Sequence, residues 1–399
     1  MILEYMPVVE DQILPDRNIS LKRELQKDFS YTNGQILSSM NCKAEKSARK
    51  IFTQYLESNL GDPALFPGTK NIEAHVIDIL GQFFELPENG TGLVLTGGSE
   101  ANITALWGIR NNEREKTKNS ESRPLEILAP ESAHISINKA ADLLNLNLIS
   151  IPVTKKYQID IKKTQHAITS RTIGIVGVAG TTAFGTIDPL LELNELCLES
   201  DIPLHIDAAF GGMIFPFLTN SKNYNLSFKL KSLVSMTVDI HKMGRVPIPG
   251  GGLLWRDKSY AKAIEFTLPY LAGHPKQHTL SGTRSGASSV AFAYLWEKMG
   301  YSGFQTEVER CVQNTKFLAT ELRSRDFKIP IEPIINILGV QVPASSGLSQ
   351  EEFHKALWNQ GWTTSLVNGS LRFVIMPATS HEDLYRLLAL IDKLMEGTQ

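Results

Sequence analysis

Six side chains of this 399-residue chain have types that do chemistry and follow apolar runs that read as strands: Ser99, His134, Thr182, Asp207, His241 and Lys242. Lys242 is the most pointed of them. It closes the run Leu233, Val234, Met236, Val238, Ile240, and a turn with Pro247, Pro249 and Gly250 to Gly252 then leads into Leu253-Leu254-Trp255. An amine enclosed there loses water, and desolvation frees the neutral form that a Schiff-base lysine needs. The competing reading is a lysine that snorkels from a strand end. Thr96 to Asn102, TGGSEAN, follows a short apolar run and precedes a helical pattern. Gly98 and Ser99 then stand where backbone N–H groups and a helix N-terminus receive an anion, although Ser99 also suits a plain helix cap. Asp207 and His134 each read as a cap or as a group offered to a pocket.

The elements that must hold these residues follow from periodicity. Helical spacing covers 71–84, 103–110, 137–144 and 190–200, and strand-like runs cover 91–95, 125–129, 148–152, 173–179 and 203–207. Alternation of this kind predicts an α/β domain with a mainly parallel sheet, whose ligands bind at the carboxyl ends of strands. All six residues share that address. Residues 59–69 read as a Gly- and Pro-rich loop in which Phe66 either lines a pocket or stiffens a connector, and 111–123 as a charged loop. A long helical pattern runs from 290 past 308. The tail reads as a compact α+β unit with strands at 334–342 and 371–376 and helices at 353–358 and 384–394. The expected division is a helical N-terminal arm over 1–60, a large domain over 61–300 and a small C-terminal domain over 301–399.

Composition limits the function classes. The chain is 42% hydrophobic and 21% charged with a formal net charge of -2, which gives no field for nucleic acid or an anionic membrane. Cys42, Cys197 and Cys311 are widely spaced, a pattern that opposes a disulfide framework or a metal site and fits a reducing compartment. With no run long enough to span a bilayer and no signal-peptide pattern, a cytoplasmic location is expected.

A lysine, an aspartate and a phosphate cradle at one sheet edge together match pyridoxal phosphate. Lys242 would bond the cofactor aldehyde, Asp207 would pair with the pyridine nitrogen, and His134 would stack on the ring. Gly98, Ser99, Thr182 and His241 would complete the cofactor site. The motifs HIDAAFGG (205–212), DIHK (239–242), GDPALFPGT (61–69), AHISINKAADLL (133–144), AGTTAFGTIDP (179–189), HKMGRVPIPGGG (241–252) and SGTRSGA (281–287) resemble the group II pyridoxal-phosphate decarboxylases, and within them the archaeal L-tyrosine/L-aspartate decarboxylases. The resemblance spans nearly the whole chain. It implies a fold-type I, aspartate-aminotransferase-like homodimer with shared active sites, supplying tyramine for methanofuran or β-alanine for coenzyme A. Ala64 and Arg245-Val246 depart from the family pattern near the expected substrate side.

Within that frame Arg372 is the expected holder of the substrate α-carboxylate, against the alternative of a strand-end salt bridge. Phe66, Phe210 and Trp255 would serve tyrosine, and Arg245, Arg284 and His278 an acidic substrate. Thr283 and Ser285 would reach the partner subunit's phosphate, and Tyr270 or His278 would return a proton. Three other readings stand beside this one: L-glutamate decarboxylation, carbon–carbon cleavage of the sphingosine-phosphate lyase type, and a catalytically silent binding protein.

Overall fold

The computed structural model describes residues 20–116 and 124–396. The described chain begins with α1 (Leu21–Leu25), α2 (Lys46–Gln54) and α3 (Pro67–Phe83). Alternation then sets in with β1 (Thr91–Leu95), α4 (Gly98–Lys116), β2 (Glu126–Pro130), α5 (Ser136–Leu143), β3 (Asn147–Ile151), α6 (Ile161–Ala167), β4 (Thr172–Val178), α7 (Leu190–Glu199) and β5 (Leu204–Asp207). Three short 3-10 turns replace a helix between β5 and β6 (Leu233–Val238), and β7 (Gly251–Trp255) follows.

These seven strands form one sheet in the order β1-β7-β6-β5-β4-β2-β3. Every neighbouring pair from β3 to β6 is parallel, and β7 alone runs against both its neighbours. Each residue of β2, β4, β5, β6 and β7 is buried, as expected for near-continuous apolar strands covered on both faces. The fold is therefore the α/β class that the alternation predicts. Because the other strands all point one way, their carboxyl ends open on a single edge. The turn between β6 and β7 carries Asp239, His241 and Lys242 to that edge.

Beyond β7 come α8 (Lys258–Lys262), a two-stranded hairpin of β8 (Phe266–Thr267) and β9 (Lys276–Gln277), and the long α9 (Ala287–Arg323). Helix α9 breaks at Gly300, whose φ of 60° is left-handed and favours glycine. Its first part packs on α2 and α3, and its later part on the tail. The tail holds β10 (Ile337–Val340), α10 (Gln350–Asn359), β11 (Ser365–Val367), β12 (Ser370–Val374) and α11 (His381–Glu396), with the antiparallel order β10-β12-β11. Leu37 is buried in this tail core, and its carbonyl accepts from Val374 N at 2.8 Å. Residues 36–41 thus tie the amino-terminal segment to the tail sheet.

Several expectations from sequence need correction. The part of the 1–60 arm that is described is helical only over α1, α2 and a 3-10 turn, because residues 34–38 are spent on tail contacts and Cys42 and Glu45 on contacts to Lys242 and Arg245; 1–19 lie outside the described residues. Helix α3 starts inside the expected loop, at Pro67, where a fixed φ and missing N–H suit a first helical position. Helix α4 runs on to Lys116 through the charged stretch, whose remainder, 117–123, lies outside the described residues. The hairpin β8–β9 and the strand β11 had no alternation long enough to read, whereas β12 falls on the strand expected at 371–376. No helix among the described residues is long and apolar enough to cross a membrane.

Candidate active site

The open edge of the sheet encloses a cavity of about 450 Å³. Gly98, Ser99, His134, Thr182, Asp207, His241, Lys242 and Arg372 all lie on its wall, so eight sequence-predicted residues converge from six different places in the chain. Phe66, Thr283 and Ser285 are not on this wall. Phe66 caps α3, Thr283 is exposed, and Ser285 bridges to Asn59.

Lys242 Nζ lies 2.9 Å from Asp239 Oδ2. The amine therefore has a carboxylate partner that the sequence reading did not include. Asp239 is 1% exposed, and its Oδ1 has no hydrogen-bond partner. Glycines bring the groups this close. A Cβ on Gly251 would stand 2.7 Å from Asp239 Oδ1 and 2.5 Å from Gly97 Cα, and a Cβ on Gly98 would stand 3.0 Å from Asp239 Oδ2. His241 donates from Nδ1 to Gly250 O at 2.5 Å, and burial holds its imidazole below the usual range against the pull of Asp239.

Asp207 sits at the end of β5, 4% exposed. Its Oδ1 accepts from Ala209 N at 3.1 Å and its Oδ2 from Asn102 Nδ2 at 2.8 Å, which matches an acceptor-only carboxylate. His134 Nδ1 faces Ser136 at the start of α5, 3.0 Å from Oγ and 3.2 Å from the backbone N. Desolvation lowers the His134 pKa, with Asp207 opposing.

Arg372, 7% exposed on β12, donates to Thr182 O at 2.8 Å, to Ser365 Oγ at 3.0 Å and to Ser38 O. Its partners are neutral, its Nε is unpaired, and burial lowers its pKa. A buried guanidinium held only by neutral oxygens is a ready receptor for a carboxylate. The strand-end salt bridge is not formed.

Other expected substrate contacts are committed elsewhere. Arg284 donates to Glu73 Oε1 at 2.6 Å and to Val94 O at 2.5 Å inside the protein, and Arg245 pairs with Glu307 at 3.2 Å. Trp255 is fully buried, and Tyr270 is 78% exposed. His278 stands 3.9 Å from Glu265. Phe210 does line the cavity.

Sequence reasoning gave no role to Asp239, Asn102, Met40 or Asn41, all on the wall. Asp239, three residues before the lysine, was readable in principle, because a turn brings such neighbours together. Met40 and Asn41 arrive through the tail docking of their segment, which no local pattern announces. The donor set fits pyridoxal phosphate: a glycine-floored helix start for an anion, a buried carboxylate, a flat imidazole and a reachable amine occur in one cavity.

The chain is similar to known proteins over most of its length. The family model described as the pyridoxal-dependent decarboxylase conserved domain matches residues 44–340. A probable L-tyrosine/L-aspartate decarboxylase of Methanothermobacter thermautotrophicus is 40% identical over 364 residues, covering 90% of this chain and 97% of its own. An L-aspartate/L-glutamate decarboxylase of Pyrococcus horikoshii is 37% identical over 373 residues, covering 92% of this chain and 94% of its own. Among solved structures, a glutamate decarboxylase of Lactobacillus brevis superposes with a TM-score of 0.87 at 19% identity, over 97% of this chain and 95% of its own. The chain belongs to the pyridoxal-dependent decarboxylase family and is a pyridoxal-phosphate-dependent carboxy-lyase.

Proposed function

We propose that this decarboxylase acts on L-tyrosine, giving tyramine, ahead of L-aspartate, giving β-alanine. The observation that carries the order is the charge inventory of the cavity. Among the described wall residues, Arg372 is the one arginine and has no carboxylate partner, whereas Lys242 is already paired with Asp239. One free guanidinium matches the single α-carboxylate of tyrosine. The second carboxylate of aspartate finds no unclaimed lysine or arginine on this wall, and Phe210, Met40 and Val178 supply apolar surface instead. The relatives named for aspartate keep that substrate as the second reading.

The residues divide the work as follows. Gly98 and Ser99 at the start of α4, with His241 and Thr182, would hold the phosphate end of the cofactor. Asp207 would hold the pyridine nitrogen, His134 the ring face, and Lys242 the aldehyde carbon. When bound, pyridoxal phosphate supplies an electron sink for the bond between the α-carbon and its carboxylate. Arg372 would grip that carboxylate and fix its orientation, and the apolar wall would keep water from the reacting carbon. Lys242 Nζ, 2.9 Å from Asp239 Oδ2, would hold a proton within reach of the site. Phe66, Thr283 and Ser285 lie off their own wall, which supports a homodimer in which each chain completes its partner's site. In a cytoplasmic setting the products would feed methanofuran or coenzyme A biosynthesis.

The test is carbon dioxide release with pyridoxal phosphate and, in parallel, L-tyrosine, L-aspartate and L-glutamate. Tyrosine turned over with the highest kcat/KM supports the proposal. Aspartate or glutamate in first place overturns the order, and release from none overturns the substrate class.

A further inference from the structure

Asn102, on the second turn of α4, is 1% exposed and uses its whole hydrogen-bonding capacity. Its Nδ2 lies 2.8 Å from Asp207 Oδ2 and 2.9 Å from Ser136 Oγ, and its Oδ1 lies 2.7 Å from Thr237 Oγ1 and 3.0 Å from His205 Nε2. These contacts have only one consistent set of directions. A carboxylate accepts, so the amide atom facing Asp207 is the nitrogen. Its second hydrogen then goes to Ser136 Oγ, which accepts and has its own hydrogen left to give. That hydrogen goes to His134 Nδ1 at 3.0 Å, and the Ser136 backbone N–H points at the same nitrogen at 3.2 Å. Two donors on Nδ1 require that atom to be unprotonated. The neutral ring therefore carries its hydrogen on Nε2, which has no protein partner among the described residues. On the other side, Asn102 Oδ1 takes the hydrogens of Thr237 and of His205 Nε2, and His205 Nδ1 accepts from Ser235 Oγ at 2.9 Å. Burial lowers the His205 pKa to about 4, so this ring stays neutral and cannot reverse the pattern.

We propose that Asn102 is the positioning residue that sets the hydrogen-bond polarity of the site, holding Asp207 as an acceptor and, through Ser136, holding His134 as the tautomer with its hydrogen on Nε2. The consequence for ligands is specific. His134 offers the cavity a flat face and one N–H donor, so it binds an oxygen acceptor such as a substrate carboxylate oxygen or a cofactor oxygen, and it does not serve as a resting general base. The use of that donor rests on the decarboxylase reading above, but the tautomer itself does not.

Nitrogen-15 NMR of histidine-labelled, cofactor-free protein near pH 7.5 separates the two. The His134 resonance, assigned by its loss in His134→Gln, should show the pattern of a neutral ring protonated at Nε2. A ring protonated at Nδ1 overturns the proposal whatever the protein decarboxylates. Ser136→Ala removes one of the two donors on Nδ1 and should raise the Nδ1-protonated fraction at least severalfold. Asn102→Asp, which cannot donate to Asp207 unless a proton is shared, should weaken pyridoxal phosphate binding by roughly tenfold or more and shift the pH dependence of the bound cofactor's visible absorption. Unchanged tautomers in Ser136→Ala, or unchanged cofactor binding and spectrum in a folded Asn102→Asp, would each count against it. If Asn102→Asp fails to fold, the wild-type and Ser136→Ala spectra still decide the matter.

Discussion

At the scale of single residues, the site divides into groups that chemistry demands and groups that geometry recruits. Lys242 and Asp207 stood out in the sequence as candidates because a Schiff base needs an amine and a pyridinium needs an anion, and both stand after strand-like runs and line the cavity. Asp239 was not, because its meaning lies in a turn that folds its carboxylate to 2.9 Å from Lys242 Nζ over a floor of glycines. Two outcomes follow. Lys242→Ala should abolish both carbon dioxide release and the visible absorption of lysine-bound pyridoxal phosphate. Retention of either would remove Lys242 from its role. Asp239→Asn takes the counter-charge from the lysine nitrogen, so the protonated, visible-absorbing form of the bound cofactor should be lost at lower pH than in the wild type. A pH titration of the absorption band that superposes on wild type would show Asp239 to be a packing group only.

Elements bring a different kind of constraint, since strands and helices here are pinned by buried charges as well as by apolar faces. Glu73 on α3, 1% exposed, accepts from Val94 N of β1 at 3.0 Å, from Lys70 at 2.7 Å and from Arg284 at 2.6 Å. Burial pushes its pKa up, but Arg284 and Lys70 outweigh burial and hold it below the usual carboxylate value. From sequence alone Arg284 was indistinguishable from a substrate-binding arginine, because spacing does not reveal a partner more than two hundred positions away. Glu73→Gln leaves a buried guanidinium uncompensated and should cost about 3 kcal/mol in denaturant unfolding. A loss within about 0.5 kcal/mol would class the pair with ordinary surface contacts. Asp188, after the turn that leaves β4, gives the opposite sign. Burial raises its pKa from 3.8 to about 6, despite donors from Ile159 N and Val178 N. The folded state therefore binds this proton more tightly than the unfolded chain, so its contribution to stability rises as pH falls from above 6 towards 4. Asp188→Asn cannot take up that proton. Its melting temperature relative to wild type should thus drop further at pH 5 than at pH 8, and a pH-independent difference would contradict the assignment.

For the molecule as a whole, the alternation of strands and helices was enough to foresee the sheet and the edge where the cavity opens. How the pieces dock was not, because docking depends on surfaces rather than periods. Arg372 shows this. It belongs to the tail sheet, yet it is gripped by Ser38 O from the amino-terminal segment and Thr182 O from the large sheet's edge, so three distant parts of the chain meet at one guanidinium. Thr283 and Ser285 show the complementary case. Sequence placed them at a phosphate, but they lie off their own chain's cavity wall, a few residues after Leu280, which is 49% exposed. A large apolar side chain left uncovered beside such residues is what a two-fold interface would use. If each chain completes its partner's site, two inactive proteins should rescue one another. Lys242→Ala and a Thr283→Ala/Ser285→Ala double variant, each inactive alone, would be unfolded together, refolded and assayed. Random pairing of two such chains in a symmetric dimer gives hybrids with one intact site, about one quarter of all sites, so about one quarter of wild-type activity should return. Mixtures that stay inactive although hybrids form would mean that each chain builds its own site entire. The off-wall positions of Thr283 and Ser285 would then be structural, and the exposed Leu280 would need another reason to be uncovered.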